Sequence, residues 1–451
     1  MSVNWRNIGL FTLVALLIAG TGFLQSWNAA LIILNMGLIS AIMSLGVNLQ
    51  WGFAGLFNIG VMGFVALGGL ATVLITMPPT TEAVKAGGLG ILFALVMGAL
   101  TVVGTILMRQ RMKPGRGRTV ATVVVLIGGF VIYRWLFDPS VAAVEAVNPA
   151  ATGYLGGLGL PAFFANLGLP EWFARGLGVV IAWPIGGLLA AGAAWIIGKT
   201  ALGLRSDYLA IATLGIAEII IAIMKNEDWL SRGVKNVIGV PRPVPYEIEL
   251  QKDTGFLESA VSLGLDPVTA STLYVKISYG LLFTVVLLII LWLLEKALNS
   301  PWGRMMRAIR DNEVAAEAMG KDVTARHLQI FVLGSAICGI SGAMMTTLDG
   351  QLISSSYQPL RYTFLIWVMV IVGGSGSNWG AVLGGFLIWF LWVQVEPMGA
   401  ILMNFITAPL SDGYWLKEHL LESVAHMRLL TMGLILLLVL RFSPRGLIPE
   451  K

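Results

Sequence analysis

The sequence predicts an all-α polytopic transmembrane helical bundle of about twelve spans. Three observations predict it. Of 451 residues, 57% are hydrophobic and 12% are charged, against roughly 25% charged in a soluble domain. So few polar residues cannot cover a water-facing surface, whereas lipid tails solvate an apolar exterior. Apolar runs of roughly 17–25 residues recur along the chain, long enough to cross the hydrocarbon core. The 15 Trp and 54 Gly supply the interfacial rings and small packing residues of membrane helices.

In chain order the runs centre near Leu16, Ile39, Phe64, Val96, Leu126, Leu188, Gly215, Leu287, Cys338, Trp367, Ile388 and Leu434. Arg6 precedes the first run and no clear A-x-A cleavage site follows, so it reads as a retained span. Gly373, Gly374 and Gly376 cut the run at Trp367 short, which predicts a broken helix. An even count places both termini on one side. With the termini cytoplasmic, inside loops collect about 17 of the 29 Lys and Arg and about 7 of the 24 acids, as the positive-inside rule favours. Two loops carry the bias: Arg109, Arg111, Lys113, Arg116 and Arg118, and the stretch from Lys296 to Arg326. Two long polar stretches, 138–175 and 225–274, then lie outside. The second contains Pro241-Arg242-Pro243-Val244-Pro245, whose spacing favours an extended path. It reads equally as a connector or as a cap over the outer mouth.

Several chemistries are excluded. Cys338 is the lone cysteine, so no intrachain disulfide forms, and its apolar setting suits packing. His327, His419 and His426 are scattered without metal-ligand spacing. No paired carboxylates and no nucleophile with a base are evident, so no catalytic residue and no cofactor is expected. The nearest nucleotide motif is Gly198-Lys199-Thr200. A phosphate-cradling loop needs a glycine five positions earlier, where Ala193 stands. Lys199 reads instead as a snorkelling anchor. If ATP drives this protein, it binds elsewhere.

The most informative segment runs from Ser300 to Gly320. Asp311 or Asn312 can cap a helix, since a short side-chain oxygen accepts a free backbone N–H. Glu313 suits the positive end of its dipole, and Gly320 is a natural stop. The result is a helix of about two turns, unstable alone. Val314, Ala318 and Met319 share one face by helical spacing. Glu317 belongs to the same candidate docking set. Such a helix suits a groove on a partner; an amphipathic connector on the membrane surface is the alternative.

Polar groups inside spans mark a candidate pathway. Glu218 is the clearest, because an intramembrane carboxylate is costly unless paired or facing water. Asn48, Gln50 and Asn58 flank a Gly-rich break, and Gly373 and Gly374 lie at a second. Broken helices are where transporters tend to place substrate groups. Tyr208 and Thr213 complete the set. Hydrogen bonding or packing is the competing role for each.

Five blocks resemble, in order, the LivM-type permeases of the branched-chain amino acid ABC importer family. They are Leu45–Phe57, Leu202–Gly215 with its Arg205-Ser206-Asp207-Tyr208-Leu209-Ala210, the coupling loop with Glu317-Ala318-Met319-Gly320, Val372–Ala381, and Arg441–Pro449. The resemblance implies one permease domain over 1–451, with an extracytoplasmic loop at 225–273 and a cytoplasmic coupling loop at 297–327. It implies a LivH-like second permease, two ATPase subunits and a periplasmic substrate-binding protein, in a bacterial inner membrane. Two departures stand out. The family has about one span between the first two blocks and this chain about three, so 87–137 reads as an inserted helical hairpin in a ten-span core. The Gly-Gly-x-Asn-Gly-Ile pattern after the Glu218 span is altered here to Arg232-Gly233-Val234-Lys235-Asn236-Val237-Ile238. Urea and short amides therefore stay open as substrates. A self-contained ion-coupled transporter is the alternative of another class; it needs several intramembrane acids or histidines, and Glu218 stands almost alone.

Overall fold

A computed structural model describes residues 5–148, 153–204, 206–409 and 414–450. The fold is a helical membrane bundle. Helix α1 (Trp5–Leu24) leads into α2 (Trp27–Ala54), whose start is capped by Ser26, its Oγ accepting from Ala29 N at 3.1 Å. After a break comes the short α3 (Val61–Thr76). Helices α4 (Thr81–Arg111) and α5 (Arg116–Ala146) form a long hairpin. A small α6 (Leu160–Asn166) precedes α7 (Glu171–Ala201) and α8 (Ser206–Asn226).

The following connection holds α9 (Asp228–Ser231), strand β1 (Val237–Ile238), α10 (Glu247–Leu250) and α11 (Thr254–Ser262). Helix α12 (Pro267–Leu298) opens with Pro at its first turn and Asp266 as cap, a position where the missing N–H costs nothing. Then come α13 (Pro301–Asp311), α14 (Glu313–Ala318) and α15 (Val323–Asp349). Strand β2 (Gln351–Leu352) pairs antiparallel with β1, Val237 opposite Leu352. Helices α16 (Pro359–Gly373), α17 (Asn378–Thr407) and α18 (Trp415–Phe442) complete the chain.

Among the described residues ten helices are long and apolar enough to cross a membrane, and α3 and α16 are shorter apolar helices. Each of the twelve predicted centres falls in one of these. With 16 and 15 residues, α3 and α16 reach about 23 Å at 1.5 Å per residue, short of a core of about 30 Å. Each borders a non-helical break, 55–60 before α3 and 374–377 after α16.

Helix α2 is the axis of the bundle: 78% of its apolar window is buried, against 17% for α1. It is apolar on nearly every side, as a helix surrounded by other helices must be. Helices α3, α7 and α15 pack with backbones almost touching. A Cβ on Gly68 would collide with the Gly339 carbonyl, and one on Gly342 with that of Val65. Small residues permit this approach, which supplies van der Waals packing where lipid weakens the hydrophobic drive.

Three expectations change at their edges. The hairpin is longer than 87–137, because a π-helical turn at Val84–Gly88 joins α4 to its first turn and α5 continues through Pro139. Phe137, Val144, Ala83, Ile91 and Ala94 pack around Trp229 at that end, which holds the extra turns. Within 138–175 the expected polar stretch holds helical structure at α6 and at the ends of α5 and α7; residues 149–152 lie outside the described set. Within 225–274, α9 to α11 and the start of α12 replace half of the loop, and the proline-rich 239–245 is neither helix nor strand, with a bend at 243–244.

The two chain ends lie together. Phe11 meets Trp379 edge-on at 6.0 Å, and Val14 packs with Leu383 and Ile448. Glu450 bonds to Arg310 of α13 at 2.8 Å. The described ends thus share one end of the bundle with α13 and α14, while β1–β2 lies at the other.

Candidate functional site

The loop between α12 and α15 is built as two helices, one buried on one face and one presented. Ser300 caps α13, its Oγ accepting from Trp302 N at 3.2 Å. Gly303, Met306 and Ile309 recur three apart and are buried, forming a stripe against α2 and α12. Arg307 donates to the Leu298 carbonyl at 2.8 Å, tying α13 to the end of α12. Asn312 then leaves the helical region and caps α14, its Oδ1 accepting from Ala315 N at 3.0 Å. Gly320, at φ +74°, ends the motif, with Lys321 N donating back to the Ala316 carbonyl at 3.1 Å. Only Ala316 of α14 is buried. Asp311, Asn312, Glu313, Val314, Glu317, Ala318, Met319 and Gly320 are exposed. Val314 and Met319 are 76% and 79% exposed. A cleft of about 350 Å³ lies between the helices, lined by Met305, Ile309, Ala316 and Met319. The predicted cap, stop and face are all in place. The sequence reading missed α13 as a separate, half-buried helix.

Behind this loop the two breaks meet. Helix α2 ends on Gly55 in the left-handed region at φ +71°. Asn58, in the break, donates from Nδ2 to Gln50 Oε1 at 2.9 Å, and its Oδ1 accepts from Gly60 N at 2.8 Å. Gln50 reaches across to α15, donating to the Phe331 carbonyl at 2.9 Å and Ser335 Oγ at 3.1 Å. Trp367 of α16 donates to the Asn58 carbonyl at 3.1 Å. Asn48 spans to the second break: its Oδ1 accepts from Gly376 N at 2.8 Å, and its Nδ2 donates to Asn378 Oδ1 at 3.3 Å. Asn378 donates in turn to Glu295 Oε1 at 3.1 Å. All of Asn48, Gln50 and Asn58 are buried. Asn58 and Asn48 satisfy backbone N–H groups at the breaks, and Gln50, bonded to α15, holds Asn58 in place, as buried polar groups require. Gly373 lies against the Gly380 carbonyl, and Gly374 adopts φ +123° where a Cβ would meet the Ile448 carbonyl.

The C-terminal tail closes the second break. Leu447 N donates to the Val372 carbonyl at 2.9 Å and Ile448 N to the Gly373 carbonyl at 2.8 Å. Glu450 then accepts from Arg310 Nη1 at 2.8 Å, and Arg310 also donates to the Gly52 carbonyl at the end of α2 and to Asp311 at 3.1 Å. Burial opposes the charge on Arg310, but Glu450 and Asp311 outweigh it and raise the guanidinium above its ordinary value. One side chain therefore joins α13, α2 and the tail. In the sequence Arg310 is one basic residue among several in the stretch from Lys296 to Arg326. The available signal was spacing: Arg310 follows Met306 by four and so shares its buried face.

The remaining candidates lie on α8. Thr213 is buried at the first break, its Oγ1 accepting from Ile59 N at 3.2 Å. Tyr208 and Glu218 are exposed, on a stripe with Ile211, Gly215 and Ala222. The structure thus brings Asn48, Gln50, Asn58, Thr213, Gly373 and Gly374 to the paired breaks and leaves Tyr208 and Glu218 on the surface of the chain. Arg205 lies outside the described residues. Lys199 sits over the Trp195 ring at 4.1 Å, as an interfacial anchor should. Among the described residues no group of three or more His, Cys, Asp or Glu is placed to hold a metal.

A polytopic bundle with two short broken helices and a presented helical loop at one end has the form of a membrane permease. The family described as the branched-chain amino acid transport system / permease component matches residues 149–440, and the chain belongs to it. Among similar proteins is the high-affinity branched-chain amino acid transport system permease protein LivM of Salmonella typhimurium. It is 24% identical over 280 residues, 61% of this chain and 58% of that protein. LivM of Escherichia coli is 25% identical over the same coverage. The probable LivM of Methanocaldococcus jannaschii is 31% identical over 157 residues, 35% of this chain and 42% of that one. The chain thus spans 58% of the length of the enteric relatives. No solved structure matches. Helices α1 to α5 all precede the matched stretch.

Proposed function

We propose that the chain is the permease subunit of an ABC importer for branched-chain or related amino acids, without catalytic activity of its own. The observation that carries this reading is α14: a capped six-residue helix presenting Val314, Ala318 and Met319 beside a cleft, at the end of the bundle where both chain ends lie. A helix this short is not stable alone; here α13 and α15 anchor it at both ends, so a push on α14 is transmitted rather than absorbed. The occupant of that face is an ATPase subunit on the cytoplasmic side of a bacterial inner membrane.

In this account Arg310 passes motion from α13 to the end of α2 and to the tail, and so to both breaks. A second, LivH-like permease covers the exposed face of α8. Glu218 then lines a watered route between the two permeases, because a carboxylate facing lipid is too costly to keep. Asn48, Gln50, Asn58, Thr213, Gly373 and Gly374 set the shape of that route by holding the breaks. A second pair member of the ATPase and a periplasmic binding protein at the β1–β2 end complete the assembly. The 87–137 hairpin, extended here to 81–146, is an addition to a ten-span core.

The test is reconstitution. Proteoliposomes with the two permeases, both ATPases and the binding protein should take up leucine or valine only with internal ATP. The chain alone should show no uptake under a proton or sodium gradient; robust gradient-driven uptake sinks the reading. Glu218→Gln should slow ATP-driven uptake while leaving assembly intact. Unchanged uptake removes Glu218 from the route.

A further inference from the structure

We infer that the α4–α5 hairpin is a binding site for an anionic phospholipid of the surrounding bilayer, with the headgroup at the hairpin tip and an acyl chain in the groove between the two helices. The hairpin packs on the rest of the chain chiefly through its far end, around Trp229. Its apolar windows are only 17% and 6% buried. Between the helices lies an apolar groove of about 540 Å³. Its walls include Val102 and Thr101 of α4 and Ile127, Phe130 and Tyr133 of α5. The helices touch where Gly129 meets Thr101 and Gly98 meets Tyr133, and the groove opens beside these contacts.

The charge at the tip is complementary to one class of occupant. Arg109, Arg111, Lys113, Arg116 and Arg118 fall within ten residues. No acidic residue occurs between Glu82 and Asp138, and no ion pair forms at any of the five among the described residues. Arg109, Arg111, Lys113 and Arg116 are exposed and Arg118 is half-buried. Val102 lies seven residues from Arg109, about 10 Å along the helix, which is within the reach of a single acyl chain from its headgroup. A neutral lipid satisfies the groove but leaves five cations uncompensated. Clusters of this kind gain roughly fivefold in binding per cation at an anionic membrane surface. The inference does not depend on what the chain transports.

The full-length chain, purified in neutral detergent, is titrated with dioleoylphosphatidylglycerol or dioleoylphosphatidylcholine, and bound lipids are counted by native mass spectrometry. Phosphatidylglycerol should be retained at least tenfold more tightly. Neutralising Arg109, Arg111 and Lys113 to Gln should abolish that preference, while Arg109→Lys with Arg111→Lys should keep it. Val102→Trp, an exposed position that fills the groove without changing charge, should weaken retention of the long-chain lipid. Dihexanoylphosphatidylglycerol should compete poorly, because it offers the headgroup without the chain. Equal retention of the two long-chain lipids overturns the inference. So does an unchanged preference in the Gln variant, or occupation of the tip by a second copy of the chain.

Discussion

Replacing Asn48 by Leu should loosen the second break. Asn48 is fully buried and carries two bonds to the second break, accepting from Gly376 N and donating to Asn378. Leucine matches its size and leaves the Gly376 N–H buried without a partner, a cost of about 1–3 kcal/mol. Loss of the weaker, 3.3 Å amide contact adds about 1 kcal/mol. Interhelical bonds in membranes average about 0.6 kcal/mol, which sets the floor, so a loss of about 2–4 kcal/mol is expected where the orphaned donor cannot reach water. The assay is reversible unfolding of the chain in mixed micelles with rising SDS, followed by tryptophan fluorescence. Asn378→Ala leaves Gly376 bonded and should cost less than Asn48→Leu. A loss under about 0.5 kcal/mol for Asn48→Leu, or the opposite order of the two variants, refutes the view that Asn48 pins the second break.

Other outcomes follow from the same geometry. Arg310→Met and Glu450→Gln, each alone, should destabilise the chain, and a double-mutant cycle should give a coupling of about 1–2 kcal/mol, since one charge-assisted bond is shared; zero coupling means the tail is not clamped by Arg310. Asn312→Ala removes the cap of α14 at a cost of about 1 kcal/mol, and hydrogen exchange should quicken in 313–320 while α15 stays protected. At the β1–β2 end, Arg175 donates to both oxygens of Glu249 at 2.9 Å, and this hydrogen bond holds the Glu249 carboxyl below its usual range. A depressed carboxylate stabilises the fold above its unfolded pKa and loses that contribution as pH falls through the folded one, so exchange in 242–250 should rise below about pH 4. Arg175→Met should remove that acid dependence; a steep acid response that survives the variant places its origin elsewhere.

Much of this fold was legible because lipid imposes simple rules on sequence. Twelve apolar centres mark twelve apolar helices, and Gly373 to Gly376 marks a break, because length and glycine content report directly on spans. The cap at Asn312 and the stop at Gly320 are local chemistry, readable within nine residues. Long-range pairing was not readable. Asn48 and Gly376 are separated by 328 residues, and nothing in either neighbourhood specifies the other. The same holds for Arg310 and Glu450, 140 apart. The hairpin's true ends were missed because Pro139 and Gly87 look like punctuation, while packing around Trp229 carries the helices through them. Asn48, Gln50 and Asn58 are legible as polar groups near a break, but their partners on α15 and at the second break are far away in sequence.

The central claim is that α14 is the surface on which an ATPase subunit acts. Its most direct test is co-purification of the ATPase subunits with the permease pair carrying Ala318→Glu. Ala318 is exposed, so the variant should fold and insert normally. The account predicts that the permeases still assemble, that the ATPases are lost, and that Ala318→Ser retains them. Normal ATPase recovery with Ala318→Glu, at unchanged stoichiometry and ATP-driven uptake, contradicts it.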